Sequence, residues 1–278
     1  DPAFLSWIHR EFYERIPEEW RIVRSPGGRE SLVVPGAWRD EDVSVGRHAP
    51  PSPGELPGLL RRFHEAYAVR RLEGLDRVAA IPAAHHRLLW IHPFLDGNGR
   101  VARLYIDACL RGAALGAHGL WTASRGLARN RARYLALLEA ADAERWDDYD
   151  GRGARSARSL NEWCGFFLDV CLDQVRYMRE LLNPDELIAR IRAWNATHAS
   201  RGELPDDAWR LLAEIVRRGQ LPRGEGRRAL GTSDRTARRA IAALTKIGAV
   251  TSRTPKGPLL LSIPAPALEA WFPALAPA

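Results

Sequence analysis

Apolar residues recur along most of the chain at intervals of three and four positions, which is the period of an amphipathic α-helix. This pattern predicts helices over residues 4–16, 56–67, 76–90, 101–110, 125–143 and 160–182. Segment 101–110 is apolar on most of its sides, which is typical of a central helix that other elements surround. The pattern therefore predicts a mainly α-helical fold.

A weaker pattern lies in the proline- and glycine-rich stretch between the first two predicted helices. Residues 31–34 and 42–45 are short runs of strand-forming composition, which predict two short β-strands. Because turn-forming residues lie between them, we expect the two strands to pair as a small hairpin.

The last third of the chain has the pattern of a separate, smaller unit. Asn183 is a predicted N-cap and Pro184 the first residue of a linker helix, which ends in a polar segment, 198–205. Three helices are predicted over 206–218, 224–230 and 234–247, followed by two short strands within 250–263, the order of a winged helix-turn-helix domain. We therefore expect a core over 1–182, a linker helix over 183–204 and a winged helix-turn-helix domain over 205–278.

Composition fits a soluble globular protein and shows where the positive charge lies. Of the 278 residues, 46% are hydrophobic and 27% are charged, and the net charge is +7. Residues 216–256 contain eleven basic and two acidic residues, a net charge of +9, so the rest of the chain carries −2. The excess of basic residues therefore belongs to the C-terminal domain, where it indicates a polyanionic partner such as nucleic acid.

Other features of the sequence exclude several classes of protein. No apolar run reaches the 18 residues of a membrane span, and the N-terminus lacks the layout of a signal peptide. We interpret Cys109, Cys164 and Cys171, which form no CxxC pair, as core residues of a protein in a reducing compartment. The phosphate-binding motif of P-loop enzymes is absent. We expect a cytoplasmic protein with no membrane partner.

The densest group of polar residues lies between the predicted helices 76–90 and 101–110. Gly97, Asn98 and Gly99 directly precede the second of these helices, an arrangement that directs backbone N–H groups and the helix dipole at one anion. Arg100 and Arg103 are three positions apart, so both guanidinium groups can reach the same anion. This segment is therefore a candidate phosphate-binding site.

Two further side chains extend this chemistry. Asp96 offers a hard carboxylate oxygen suited to Mg²⁺ carried on phosphates, and His92 is a base that titrates near neutrality. Together the group indicates nucleotidyl or phosphoryl transfer, although each residue alone also fits a plain turn between two helices. The spacing Gly97-x-Gly99-x-x-Ala102 also matches a dinucleotide-binding fingerprint, which we reject because a helix and not a strand precedes it.

Residues 92–103 resemble the signature of the Fic family, H-x-F-x-[DE]-G-N-G-R-x-x-R, at every fixed position. A looser resemblance extends over residues 4–182. The resemblance implies an all-α Fic core that transfers AMP from ATP to a hydroxyl side chain of a target protein and releases pyrophosphate. It also implies that His92 is the general base, that Asp96 holds Mg²⁺ against the α- and β-phosphates, and that Phe94 packs into the core.

The same resemblance assigns the remaining positions of the motif to the phosphates. The backbone of Gly97, Asn98 and Gly99 would cradle the α- and β-phosphates, while Arg100 and Arg103 would bind the β- and γ-phosphates. These roles agree with the anion site inferred from the residues themselves, because nucleotidyl transfer depends mainly on positioning and charge neutralisation.

The resemblance implies roles for two further parts of the chain, and two histidines lie shortly before the motif. The segment from Gly36 to His48 is similar to the family's flap, which would align a target segment by strand addition; the alternative is a structural hairpin that covers the core. Asn130 and Tyr134 match positions that contact adenine and ribose in relatives. We interpret His85 and His86 as core or capping histidines and not as metal ligands.

The third helix of the C-terminal domain resembles the recognition helix of winged helix-turn-helix proteins. Arg235, Arg238 and Arg239 would face the major groove of DNA, and Arg253 and Lys256 on the wing would contact the backbone. A homodimer contact or a docking surface for another protein is the alternative.

These observations lead to one main hypothesis and two alternatives. The main hypothesis is a Mg²⁺-dependent protein adenylyltransferase with ATP as its substrate. One alternative is a DNA-binding regulator whose core senses a nucleotide; the other is a Fic enzyme that removes AMP or transfers another phosphate-containing group.

Overall fold

The computed structural model describes residues 1–24, 28, 30–68, 71–116 and 121–275, with only the backbone of Arg152. The fold is mainly helical, as predicted, and it divides into two compact units, Asp1–Arg176 and Tyr177–Ala278. Within the described residues, no helix combines the length and the apolar character needed to cross a membrane.

In the described part of the first unit, seven α-helices begin, together with two small antiparallel sheets. The helices are α1 (Pro2–Tyr13), α2 (Leu56–Ala66), α3 (Gly74–Ile91), α4 (Asn98–Gly112), α5 (Ala123–Arg129), α6 (Arg131–Ala141) and α7 (Ala157–Leu181). The strands are β1 (Ile22–Arg24), which pairs with β2 (Glu30–Leu32), and β3 (Gly151–Arg152), which pairs with β4 (Arg155–Ser156).

Helix α4 lies at the centre of the first unit, as its apolar composition predicts. It packs against α1, α3 and α5, and Val101, Ala102 and Ile106 are buried on it. The exposed residues of α4 are Leu104 and, at its C-terminal end, Arg111 and Gly112. Trp163 of α7 and Ile81 of α3 are fully buried in the same core. Packing in this core therefore holds α3 and α4 in place relative to each other.

The predicted hairpin between residues 31–34 and 42–45 is wrong. Strand β2 pairs instead with β1, in the register Ile22 to Leu32, and the Val33 N–H donates to the Arg21 carbonyl at 2.8 Å. The backbone of 31–34 is therefore already engaged by the preceding chain. Residues 42–44 form no strand, and Val45 makes only a single bridge, to His48.

The helix predicted over 125–143 is in fact two helices, α5 and α6. Asn130 interrupts them with φ −111° and ψ 32°, and its side-chain amide donates to the Gly126 carbonyl at 3.0 Å. This local hydrogen bond competes with the helical conformation, which is a common property of asparagine.

The elements of the second unit follow the predicted order. They are α8 (Pro184–Ser200), α9 (Trp209–Arg218), α10 (Gly226–Leu230), α11 (Asp234–Ile247), the antiparallel pair β5 (Val250–Thr251) and β6 (Leu260–Leu261), and α12 (Ala265–Trp271). Asn183 caps α8 as expected, since its side chain accepts from the Asp185 N–H at 3.1 Å. The sequence pattern missed α12, whose Trp271 is fully buried.

Segment 183–204, expected as a linker helix, lies inside the second unit. Helix α8 packs against α9 and α12, and its Ile191 is fully buried. Trp194 packs edge-on against Trp271 at 5.2 Å, and the buried Asn195 amide donates to the carbonyls of Pro205 and Asp206. The helix therefore contributes to the core of the second unit.

Candidate active site

His92 occupies a special backbone position at the end of α3. It is the C-cap of the helix, in the left-handed backbone conformation with φ 51° and ψ 59°, which residues other than glycine rarely adopt. Its ring Nδ1 lies 3.2 Å from the Leu89 carbonyl oxygen. Because a carbonyl only accepts, Nδ1 carries the proton in the neutral ring, and the lone pair lies on Nε2.

Burial keeps this ring neutral. Desolvation lowers the pKa of His92 to about 4; the Leu89 carbonyl and Asp96 oppose the shift, while His48 and Arg39 add to it. At neutral pH the side chain is therefore a proton acceptor through Nε2.

The loop after His92 is closed by a pair of hydrogen bonds from one side chain. Asn98 is buried; its Oδ1 accepts from the Phe94 N–H at 2.9 Å and its Nδ2 donates to the Phe94 carbonyl at 2.8 Å. Phe94 is fully buried between His9 and Trp38, with ring centroids 4.1 and 4.8 Å away. The Asn98 side chain thus shapes the loop, while its backbone begins α4.

Gly97 allows α4 to begin directly above the side chain of Tyr13. It has φ 81°, and a Cβ at this position would lie 2.6 Å from Tyr13 Cε2. The Arg100 and Val101 N–H groups both bond to the Gly97 carbonyl, at 3.0 and 2.9 Å. The N–H groups of Asn98 and Gly99 head the helix, where no preceding carbonyl of the helix serves them and where the dipole favours an anion.

Asp96 is held ionised beside this helix start. Its Oδ2 accepts from the Tyr13 hydroxyl at 2.5 Å and from Arg100 Nη2 at 3.2 Å. Burial raises the pKa of Asp96, but the hydrogen bonds from Tyr13 and the Gly97 N–H, with the charge of Arg100, outweigh it, so the pKa lies below its ordinary value. No motif or spacing in the sequence singles out Tyr13.

A cavity of about 1000 Å³ lies over His92. Its lining includes His92, Gly99, Arg103 and Tyr134, together with residues 45–49 and much of α6. Asp96 and Arg100 pair beside the helix start and do not line this cavity, and Asn130 is exposed at the junction of α5 and α6. The structure thus brings four of the expected site residues to one cavity.

Three buried or half-buried histidines lie in or behind the lining of the cavity, and two of them, His48 and His86, line it. His48 Nε2 donates to the Trp90 carbonyl at 2.8 Å, and His86 Nε2 donates to Asp142 Oδ1 at 3.0 Å. His85 is fully buried and lies 2.9 Å from the Tyr134 hydroxyl. His85 and His86 are therefore buried and hydrogen-bonded, a setting typical of core or capping histidines.

The described residues suit a metal that arrives with the nucleotide better than a resident one. Among them, no group of three or more His, Cys, Asp or Glu side chains is placed to hold a metal ion. Asp96 is an ionised, half-exposed carboxylate beside a helix N-terminus. One carboxylate together with substrate phosphates is a usual set of protein ligands for Mg²⁺, so Asp96 fits that ion.

In the second unit, the five basic side chains selected from the sequence are all exposed. They are Arg235, Arg238 and Arg239 on α11, and Arg253 and Lys256 between β5 and β6. Arg238 also lines a cavity of about 940 Å³ together with Arg223, Arg227 and Lys246.

Part of the chain is similar to curated proteins. Over 83 residues it is 41% identical to the protein adenylyltransferase Fic of Drosophila erecta, covering 30% of this chain and 17% of that protein. Over 101 residues it is 41% identical to the protein of the same name from Drosophila mojavensis, covering 36% and 20%. The chain therefore spans about a fifth of the length of these curated relatives.

Two solved structures are similar at low identity. A Fic family protein from Desulfovibrio desulfuricans G20 has a TM-score of 0.48 and 18% identity, over 94% of this chain and 69% of that one. A Fic domain containing signaling protein from Bacteroides thetaiotaomicron VPI-5482 has a TM-score of 0.43 and 18% identity, over 64% and 62%. The sequence model of the Fic/DOC family matches residues 1–110, and this part of the chain is a Fic/DOC family domain.

Proposed function

We propose that the first unit transfers AMP from ATP to a Ser, Thr or Tyr hydroxyl of a target protein. The observation that carries the proposal is the state of His92, a neutral ring at the cavity whose Nδ1 is bonded to Leu89 and whose Nε2 is left to accept a proton. The Fic/DOC domain and relatives named protein adenylyltransferase support a nucleotidyltransferase of this type.

In the proposed reaction, His92 Nε2 takes the proton of the target hydroxyl. The hydroxyl oxygen then forms a bond to the α-phosphorus, while the bond from that phosphorus to the bridging oxygen breaks and its electron pair leaves with pyrophosphate. At neutral pH the His92 ring is neutral and can accept this proton directly. The proposed reaction is a single displacement, with no covalent intermediate on the enzyme.

The start of α4 would bind the triphosphate. The Asn98 and Gly99 N–H groups and the helix dipole stabilise phosphate charge, and Arg103 lies on the cavity wall. Arg100 exchanges its bond to Asp96 for a phosphate oxygen. Mg²⁺, held by Asp96, would neutralise charge on the phosphates when it is bound.

The flap segment, residues 36–48, would align the target. Its first part is fixed to the loop after His92, and its last residue is fixed through the His48 bond to Trp90. Residues 44–47 between these anchors are exposed and border the cavity from Val45 onward. A target chain laid along this exposed backbone would bring a hydroxyl toward His92.

Transfer from isotopically labelled ATP tests the proposal. The protein is incubated with Mg²⁺ and a cell lysate in the presence of ATP labelled at either the α- or the γ-phosphate. We expect protein-bound label only from the α-labelled nucleotide. His92→Ala should abolish the label, whereas His64→Ala, on α2, should not change it.

Other labelling patterns would contradict the proposal in distinct ways. Label from the γ-phosphate alone indicates a phosphotransferase. No label from ATP while pre-formed AMP-protein releases AMP indicates hydrolytic removal of AMP, with water as the acceptor. Bound nucleotide without any transfer indicates a sensor.

A second function is favoured by the exposed cations of the second unit. We propose that Arg235, Arg238 and Arg239 contact DNA, with Arg253 and Lys256 on its phosphates. The support is that these side chains are exposed on one helix and the hairpin that follows it, in the most basic part of the chain.

A further inference from the structure

We propose that Arg39 is the positioning residue that holds His92 in its left-handed conformation and couples it to the flap segment. The inference rests on the proposed role of His92 as a base, and it concerns a residue that touches neither the cavity nor the motif side chains. Arg39 is 4% exposed, and it is not part of the cavity lining.

The conformation of His92 needs support from outside its own helix. A left-handed backbone costs a residue with a side chain about 1–2 kcal/mol, and only two non-glycine residues in the described chain have positive φ, His92 and Ala114. In this conformation the His92 carbonyl turns away from the helical direction of α3. The guanidinium of Arg39 meets it there, with Nε donating to the His92 oxygen at 2.7 Å.

The same guanidinium fixes three segments at once. Nη1 donates to the Glu41 carbonyl at 3.0 Å, and Nη2 donates to the Pro51 carbonyl. All three acceptors are backbone carbonyls, in directions that a planar fork of donors satisfies together. A lysine ammonium at the end of a flexible stem does not reproduce this geometry. A positive charge alone would therefore not hold the three carbonyls in place.

Two adjacent residues of the flap segment also clamp the loop after His92. The Arg39 N–H donates to the Pro93 carbonyl at 3.0 Å, and the Trp38 ring packs on Phe94 with centroids 4.8 Å apart. Residues 38–39 therefore contact three consecutive residues, 92–94. A shift of the flap segment moves the backbone that orients the His92 ring.

This placement separates the expected effect on turnover from the effect on nucleotide binding. Misplacing a catalytic group by about 1 Å costs about 100-fold in rate. The start of α4, by contrast, is shaped by Asn98, Gly97 and Tyr13. Loss of Arg39 should therefore lower kcat about 100-fold and leave the Kd for ATP within about threefold.

The test compares Arg39→Ala and Arg39→Lys with Arg62→Ala, an exposed arginine on α2 that serves as the matched control. For each full-length variant we would measure kcat for AMP transfer, the Kd for ATP, the unfolding temperature and the ring resonances of His92 by NMR. Arg39→Ala also leaves a buried space for a free guanidinium ion. Millimolar guanidinium should therefore raise the kcat of this variant at least about tenfold. It should not raise the kcat of His92→Ala.

The proposal is overturned if both Arg39 variants keep wild-type kcat, or if the Kd for ATP rises in step with the loss of kcat. It is also overturned if activity follows the folded fraction alone, without rescue by guanidinium and without change in the His92 resonances. If the wild-type protein transfers no AMP, the proposed function fails separately. The His92 resonances of the nucleotide-free protein then decide the role of Arg39, since the proposal requires them to shift in Arg39→Ala and not in Arg62→Ala.

Discussion

The proposed chemistry depends on the protonation state of a single side chain. His92 is surrounded by groups of both signs: Arg39 and His48 disfavour the imidazolium, and Asp96 favours it. Burial has the largest effect and places the pKa at about 4. The ring is therefore a base throughout the neutral range, and it gains its proton only from a substrate hydroxyl or in acid.

The pH dependence of activity follows from this value. Because the pKa of His92 is lowered, the neutral form that accepts a proton predominates above pH about 4 and is lost as the pH falls through that value. We expect log kcat/KM for ATP to rise with unit slope up to about pH 4 and to change little between pH 6 and 8. A half-maximal value near pH 6.5, the ordinary pKa of histidine, would show that the ring is not desolvated in the free enzyme.

At the scale of elements, the site is a helix end, a short loop and a helix start. Helix α3 ends at Ile91 and α4 begins at Asn98, so six residues connect them. Asn98 closes this loop on Phe94, and Gly97 lets the turn pass over Tyr13. The loop is consequently held by α1 as well as by its own helices.

Gly97→Ala tests how tightly the loop is held. The alanine would have to adopt φ 81°. Its Cβ would lie 2.6 Å from the Tyr13 ring and 2.8 Å from the Tyr13 hydroxyl, which is bonded to Asp96. We expect the free energy of unfolding to fall by about 1–3 kcal/mol and activity to be lost.

The matched control for that variant is Gly165→Ala. Gly165 lies within α7 with no atom in the way of a Cβ, and an alanine there should stabilise the protein by about 0.5–1 kcal/mol. Denaturant unfolding of both variants measures the difference. A Gly97→Ala variant as stable and active as the wild type would mean that the turn is adaptable.

The sequence predicts those parts of the site whose residues are adjacent in the chain. The loop between two helices, the glycine turn and the two arginines one helical turn apart all follow from spacing within residues 92–103. The supporting residues do not: Tyr13 reaches Asp96 across 83 positions, and Arg39 reaches His92 across 53. Only packing of α1 and of the flap segment against the loop brings them there.

Strand pairing and the packing of segment 183–204 also depend on contacts that the sequence pattern does not specify. Residues 31–34 have a strand pattern, but their partner β1 could not be chosen from composition, because 42–45 has a similar pattern. Likewise, the polar end of α8 resembles a linker, whereas Ile191 and Trp194 pack into the second core. In both cases the deciding contact is long-range.

On the scale of the whole molecule, charge and chemistry are separated along the chain. Residues 216–256 carry a net charge of +9, all within the second unit, and the remaining residues carry −2. In the proposed reaction the first unit uses few cations, at specified positions, for phosphate binding. We therefore expect any general affinity for polyanions to belong to the second unit.

Salt dependence distinguishes a DNA-binding surface from a protein-docking one. Random-sequence duplex DNA offers no recognised bases, so we expect all five cations to neutralise phosphates on it. Each neutralised phosphate makes the slope of log K against log salt more negative by about 0.9, which predicts a slope of about −4 to −5. Replacing Arg235, Arg238 and Arg239 by Gln should reduce the slope by about 3 units, whereas Arg61→Gln with Arg62→Gln, on α2, should leave it unchanged. Fluorescence anisotropy across a salt series measures both slopes. Absence of binding at low salt, or equal slopes for the two sets of variants, would assign the basic surface to a protein partner or to a second copy of the chain.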